Sequence, residues 1–124
     1  PEEHCQKAPE LLKEIELDDA FIRAVCSHGY GICSTIEPEH FMEKVLYTID
    51  ELTGLVYATA LMRPSKMEGM TVKSVKKKWS SKAFAAGVNR DIISQGAEKL
   101  GLEMNHIISL TIEAMAGASS KIGL

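Results

Sequence analysis

PEHFMEKVLYTIDELTGLVYATALMR, residues 38–63, is the longest stretch of the chain with apolar side chains at helical spacing. Pro38 suits a first helical turn and Pro64 ends the pattern, so we expect one long helix across these residues. Two adjacent apolar stripes follow it: Phe41, Val45, Ile49, Leu52, Val56 and Ala60 in one, and Leu46, Gly54, Tyr57 and Leu61 in the other. A helix that is apolar over so much of its circumference is usually buried at the centre of a bundle.

Shorter helices are predicted on both sides of this stretch. Apolar spacing and cap residues place them at 8–16, from Asp18 or Asp19 to about His28, at 73–80 with a following turn of helix through Phe84, at 91–100, and at 103–119. Residues 29–37 and 64–72 are expected to connect them, because Gly, Pro and Ser interrupt the periodicity there. No useful β-alternation or repeat is present, so residues 1–124 are predicted to form a single all-α helical bundle.

Composition is that of an ordinary globular domain. The chain has 124 residues, of which 45% are hydrophobic and 25% charged, enough for one modest core. No stretch is long and apolar enough for a membrane span, and no secretory pattern opens the chain. The odd number of cysteines, without a C-x-x-C pair, favours a reduced, cytoplasmic location. The start at Pro1, without an initiator Met, suggests a fragment.

Charge is unevenly distributed along the chain. Seven of the fourteen basic residues lie between Arg63 and Lys82, whereas twelve of the seventeen acids lie in the first 51 residues. The net charge of -3 argues weakly against nucleic acid as the main partner. The basic segment is either a solvated face or a cradle for an anionic ligand, with Arg63 or Lys66 as the first phosphate contacts.

Asp50 and the histidines are the residues best suited to metal chemistry. Asp50 lies four residues from both Leu46 and Gly54, so it is expected to face along an apolar stripe, where a carboxylate needs a partner or a metal. From periodicity alone, an ion pair with a basic side chain or a buried cap is the favoured explanation. A buried Asp with imidazoles suits zinc, iron or manganese, but no two histidines have the close spacing of a metal motif.

His28 and the cysteines have simpler explanations. His28 ends a helix before a Gly-rich loop, where it could stabilise the helix C-terminus instead of binding a metal. Cys5, Cys26 and Cys33 are more typical of small core residues than of nucleophiles.

Several strings of this sequence together resemble a known family. They are PEEH at 1–4, AVCSHGYG at 24–31, KVLYTIDELTGLVYATALMRPSK at 44–66 and VKSVKKKWSSKAFAAGVNRD at 72–91. In this order they resemble the C-terminal portion of HD-superfamily, HDIG-type, predicted metal-dependent phosphohydrolases. The resemblance covers nearly all of the chain, and the segments around Asp50 and Trp79 are its most specific parts.

The resemblance implies an incomplete HD-type bundle and a set of site residues. Asp50 matches the distal metal-binding Asp of the family, and His4 and His28 match intermediate histidines that some members use for metal or substrate. The His-Asp pair that names the family would precede Pro1, so this chain alone is expected to be inactive. The cofactor would be a divalent metal ion, with Mn, Fe, Mg, Zn and Ni indistinguishable.

The activity implied for the intact protein is hydrolysis of a small phosphoester, for which a nucleotide is one candidate. Arg63, Lys66 and Lys76 would bind the substrate phosphate. The alternative is a non-enzymatic helical module that binds an acidic partner through the segment from Arg63 to Lys82. A third possibility is a bundle that forms a homo-oligomer through its exposed apolar surface.

Overall fold

The computed structural model of the chain describes residues 3–81 and 83–124, which contain seven helices and no β-strand. The helices are α1 (His4–Glu14), α2 (Asp19–Ser27), α3 (Phe41–Leu61), α4 (Val72–Trp79), α5 (Arg90–Leu100), α6 (Met104–Gly117) and α7 (Ser119–Ile122). The all-α prediction is therefore confirmed for the described residues, whereas the HD-type arrangement stays a prediction. No described helix has both the length and the apolar character needed to cross a membrane.

Helix α3 is the centre of the molecule. It packs against α2, α4, α5 and α6, and Leu52, Leu55 and Val56 are fully buried in the core that these helices form. The remaining core residues are Ala60, Met67, Met70, Val75, Ile93, Ala97, Ile107, Ile108 and Ile112. The two apolar stripes are buried only in part: Phe41 of the first and Tyr57 and Leu61 of the second are exposed, so the expected burial of α3 is wrong at these positions.

Helix α3 begins at Phe41, three residues later than Pro38, because Glu43 caps it. The Glu43 carboxylate accepts hydrogen bonds from the backbone N–H groups of Glu39 at 2.8 Å and His40 at 3.1 Å. His40 Nδ1 in turn accepts from the N–H of Met42 at 3.2 Å, which completes a capping box. His40 therefore sets the start of the helix, a role that its sequence position did not indicate.

A partly buried ion pair joins this cap to α2. Arg23 donates to both carboxylate oxygens of Glu43 at 2.6 Å. Burial by itself raises the pKa of Glu43, but the hydrogen bonds from Arg23, Glu39 and His40 outweigh it and lower the pKa from 4.5 to about 2. A carboxylate with a lowered pKa stabilises the fold fully above about pH 4.5, and this contribution is lost as the pH falls towards 2.

We expect Glu43→Gln to lower the free energy of unfolding by about 1 kcal/mol at neutral pH, since Arg23 is partly exposed and the pair is screened by solvent. The difference from the unaltered chain should shrink as the pH falls below about 4.5, where Glu43 of the unfolded chain is protonated. Urea unfolding followed by circular dichroism between about pH 7 and pH 2.5 measures the difference in unfolding free energy and its change with pH. Glu39→Gln is the control, because this more exposed partner of Arg23 caps no helix. A pH-independent difference would refute the assignment.

Helix α1 begins at His4, four residues before the predicted start at residue 8, and Pro9 lies inside it. Proline has no N–H, so the carbonyl of Cys5, four residues earlier, lacks its helical donor. The thiol of Cys26 on α2 donates to this carbonyl at 3.3 Å. Cys26 thus has a structural role, and it ties the start of α1 to α2.

Helices α3 and α5 approach each other closely at Gly96. A Cβ atom at Gly96 would lie 2.1 Å from Thr48 Oγ1 and 2.9 Å from Thr48 Cα, so only glycine fits there. Asn89 caps α5 through its side chain, and Gly101 ends it with a φ of 66°. The contact between α3 and α5 is therefore fixed by the absence of a side chain.

The C-terminal segment differs from the prediction in one respect. The helix expected at 103–119 is divided into α6 and the short α7, because Ala118, with a φ of -104° and a ψ of 4°, separates them.

Residues 83–87 form turns rather than a helix around Phe84.

Candidate metal centre

Two histidines that are distant in sequence meet at one end of the bundle. His4 is the first residue of α1, and His28 directly follows α2. The Nε2 atoms of the two rings are 2.9 Å apart, and the ring planes are inclined by 34°. This distance fits a hydrogen bond between a protonated and an unprotonated ring nitrogen.

The other nitrogen of His28 determines which atom carries the proton. His28 Nδ1 contacts the backbone carbonyl of Val25 in the last turn of α2. A carbonyl only accepts, so Nδ1 must donate, and in a neutral ring Nε2 is then the acceptor. We therefore assign the proton between the two rings to Nε2 of His4, the tautomer in which Nδ1 is the nitrogen that could bind a cation.

Two cysteine thiols lie beside His4. The Sγ of Cys33 is 3.6 Å from both ring nitrogens of His4. Cys5, the neighbour of His4 in α1, completes a group whose three ligand atoms all lie within 4.8 Å of one another. It is the one His, Cys, Asp and Glu cluster of this geometry in the part of the chain that the structure describes.

Gly29 makes room for the two sulfurs. A Cβ atom at this position would lie 2.4 Å from the Sγ of Cys5 and 2.5 Å from the Sγ of Cys33. Its carbonyl also accepts the N–H groups of Ile32, Cys33 and Ser34, each at 3.0 Å. This glycine thus closes the turn that returns Cys33 to α1 and leaves space for both thiols.

The pKa values of two of the thiols, those of Cys5 and Cys26, are raised by their surroundings. Burial, together with a hydrogen bond from Cys33 and the neighbouring sulfurs, raises the pKa of Cys5 to about 12. Burial likewise raises the pKa of Cys26. All three cysteines are buried and free, as expected for core residues, and a raised pKa makes Cys5 a poor nucleophile.

A cavity of about 220 Å³ opens beside this cluster. It is lined by His4, His28, Gly29, Ile32, Cys33, Asp50, Glu51 and Ile92. The three predicted metal ligands, from α1, the end of α2 and α3, therefore border one space.

Asp50 was expected to face an apolar stripe, and that expectation is wrong. Its side chain is exposed, because this side of α3 borders the cavity and no helix packs over it. Among the described residues the Asp50 carboxylate has no hydrogen bond or ion pair. Glu51, by contrast, accepts the N–H of Asn89 at 2.7 Å and so stabilises the start of α5.

The predicted phosphate-binding residues lie elsewhere, on the α3–α4 connection and on α4. Arg63 donates to the carbonyls of Lys66 and Glu68, which fixes the connection between the helices. Lys66 donates to the carbonyl of Gly123 at 2.9 Å, and Lys76 donates to Asn105 Oδ1 at 3.1 Å. None of the three lines the cavity beside the histidines, and Lys82, the last residue of the basic segment, lies outside the described residues.

Sequence analysis missed the contribution of Cys5, Cys33 and Gly29. The cysteines are 28 positions apart and form no metal motif, and the glycine was interpreted only as a helix breaker. The adjacent pairs His4-Cys5 and His28-Gly29 were a sequence signal for this cluster. They indicate a metal site only when α1 and α2 are known to pack together.

No protein-family model matches the chain, and no curated protein and no solved structure shows significant similarity to it. The resemblance to HD-superfamily phosphohydrolases therefore stays a prediction, and the function has to be argued from the geometry of the site.

Proposed function

We propose that this chain carries the metal-binding part of a metal-dependent phosphohydrolase that acts on a small phosphoester, for which a nucleotide is one candidate. The observation that supports the proposal is that His4, His28 and Asp50 border a single cavity. These three residues are the ones that the HD-superfamily resemblance selects. They come from three separate segments, so their meeting is not a consequence of local sequence.

The donors at this cavity are suited to a divalent cation. Imidazole nitrogens and carboxylate oxygens bind zinc, iron, nickel and manganese, and the Asp50 carboxylate is not engaged by another described residue. A bound cation would supply charge neutralisation at the phosphoryl oxygens and a water of lowered pKa. The protein residues would orient the phosphoester and hold the ring nitrogens in their ligating form.

Arg63, Lys66 and Lys76 remain the proposed contacts of the substrate phosphate. Each of them has a partner within the chain, which a phosphate group would have to displace. Charge-assisted bonds to phosphate are stronger than bonds to neutral carbonyl or amide oxygens, so such an exchange is favourable when substrate is bound.

We also retain the cytoplasmic location and the homo-oligomer as parts of the proposal. Three free cysteines support a reducing compartment. A nearly apolar groove of about 350 Å³ between α3, α5 and α6, with Phe41 and Leu110 exposed at it, supports self-association.

We expect Asp50→Asn in the intact protein to reduce the kcat/KM of metal-dependent phosphoester hydrolysis at least 100-fold, because the amide is a much weaker cation ligand than the carboxylate. The assay measures phosphate release from a panel of nucleotides and small phosphoesters, with and without added divalent metal. Asp19→Asn is the matched control, since Asp19 is exposed at the start of α2 and does not line the cavity. Retention of both metal and activity by the Asp50 variant would show that its assignment is wrong.

A further inference from the structure

We propose that His4, Cys5 and Cys33 bind one cation of the Zn²⁺ class, through Nδ1 of His4 and the two thiolate sulfurs, and that His28 is a positioning residue for His4. The inference rests on the proposed function only in placing a cation beside the same cavity. It requires no hydrolysis, and it selects among metals that the sequence leaves indistinguishable.

The ligand atoms of the cluster are close enough together to share one cation. With Zn–S near 2.3 Å and Zn–N near 2.0–2.1 Å, tetrahedral angles place a nitrogen and a sulfur ligand about 3.6 Å apart. The Sγ of Cys33 lies 3.6 Å from both Nδ1 and Nε2 of His4, so it does not lie along the in-plane lone pair of Nδ1, and ligation through Nδ1 requires the ring to turn. Two sulfur ligands would be about 3.8 Å apart, and the ligand atoms of Cys5 and Cys33 lie within 4.8 Å of each other.

The hydrogen bonds around His4 prepare its Nδ1 for a cation. These hydrogen bonds run from the carbonyl of Val25 through Nδ1 and Nε2 of His28 to Nε2 of His4. The two Nε2 atoms are 2.9 Å apart. Ligating histidines usually donate their second N–H to an acceptor, which fixes the tautomer and the ring orientation. His28 provides this acceptor, so we replace the ligand role that the HD-superfamily resemblance implies for His28 with orientation of the His4 ring.

Burial of the sulfurs also favours a metal-binding role. Cys5 and Cys33 are exposed by only 5% and 7%, and Gly29 holds open the space into which both sulfurs project. Two thiolates at this separation repel each other unless a cation lies between them. Binding would release one proton from each thiol to solvent and replace both with the metal.

The donor set indicates the class of cation. Two thiolates and an imidazole are soft and borderline ligands, which select zinc over magnesium or manganese. Three protein ligands leave one tetrahedral position, and Cys33 and His4 place it beside the cavity lined by Asp50. This is the ligand count of a catalytic zinc site, in which the fourth position holds water or substrate.

Titration of the reduced, metal-free chain with Co²⁺ tests the proposal. We expect one equivalent to bind, with a thiolate-to-cobalt charge-transfer band in the near ultraviolet and the visible absorption of tetrahedral cobalt. Addition of one equivalent of Zn²⁺ should abolish both signals, whereas Mg²⁺ in 100-fold excess should not. Absence of the charge-transfer band, or displacement of cobalt by Mg²⁺, would overturn the proposal.

Variants identify the ligands individually. Cys5→Ser and Cys33→Ser should each reduce the charge-transfer absorbance per bound cobalt by about half, because one thiolate is lost. Cys26→Ser is the matched control: Cys26 is equally buried but lies outside the cluster, and serine can still donate to the carbonyl of Cys5. Loss of the band in the Cys26 variant alone would contradict the assignment.

His28→Gln separates a positioning residue from a ligand. The cobalt affinity should fall 10- to 100-fold, while the absorbance per bound cobalt, and hence the thiolate count, stays unchanged. His106→Gln, on the exposed face of α6, should change neither quantity. A change of the cobalt spectrum in the His28 variant would instead make His28 a ligand.

A measurement on the unaltered chain covers the case in which a variant fails to fold. Zn²⁺ should slow alkylation of Cys5 and Cys33 at least 10-fold, as read by peptide mass spectrometry. Equal rates with and without Zn²⁺ would refute the site. If the zinc site is refuted, the effect of Asp50→Asn on hydrolysis can still be observed. If hydrolysis is refuted, cobalt can still bind, so failure of one proposal is distinguishable from failure of the other.

Discussion

Gly96→Ala is expected to lower the free energy of unfolding by about 3 kcal/mol, which is at the upper end of the usual cost of overpacking. The added methyl group would meet Thr48 at the Cα as well as at the side chain, at 2.9 Å and 2.1 Å. Rotation of the threonine side chain cannot relieve contact with its backbone, so α3 and α5 must move apart. Thermal unfolding by calorimetry measures the loss, which should lower Tm by roughly 10 °C in a domain of this size.

Gly54→Ala is the matched control for this prediction. Gly54 also lies inside a helix, but a Cβ there meets only a methyl group of Val88 at 3.4 Å, an ordinary contact distance. Alanine should therefore stabilise the chain by about 0.5–1 kcal/mol, the usual gain over glycine within a helix. Equal stability changes in the two variants would show that close packing of α3 and α5 does not explain the glycine.

Gly29→Ala is expected to weaken Co²⁺ binding by at least 100-fold. The new methyl group would occupy the space of both sulfurs, since its Cβ lies 2.4 Å and 2.5 Å from them. The backbone of Gly29 has no positive φ, so alanine is compatible with the turn itself and the effect falls on the thiols. Cobalt titration measures the affinity, and far-ultraviolet circular dichroism reports whether the helices remain.

Gly87→Ala is the comparison for this second experiment. Gly87 lies in a turn and has no positive φ, and a Cβ added there would meet no described atom within 4 Å. Alanine at this position should therefore leave the cobalt affinity unchanged. Unchanged affinity in the Gly29 variant would mean that the two sulfurs do not converge on a common ligand. If the Gly29 variant loses helix content, the alkylation measurement on the unaltered chain tests the site instead.

Most of the fold was predictable because it depends on local signals. The helical spacing of Leu52 and Val56, the cap at Asp18 and the stop at Gly101 are visible in the sequence and are confirmed. The start of α3 was placed too early because Glu43 takes the N–H groups of the residues before Phe41. The start of α1 was placed too late because the Cys26 thiol compensates for Pro9, which no local pattern reveals.

The candidate site was only partly predictable. The resemblance selected His4, His28 and Asp50, and the structure places them around one cavity, while their roles stay a prediction. The periodicity argument misplaced Asp50, because an apolar stripe is buried only where another helix covers it. The convergence of Cys5 and Cys33 over Gly29 depends on the packing of α1 against the turn after α2, which spacing along the chain does not encode.

The residues of the cluster all belong to α1, α2 and the turn after α2, and this affects the order in which the molecule can form. His4 and Cys33 are separated by 29 positions, and the Cys5–Cys26 contact spans 21. Closing loops of this length costs little chain entropy, so the α1–α2 hairpin can assemble before α5 and α6 join the core. The cysteine–histidine cluster can therefore form before the contacts of α3 with α5 and α6 are made.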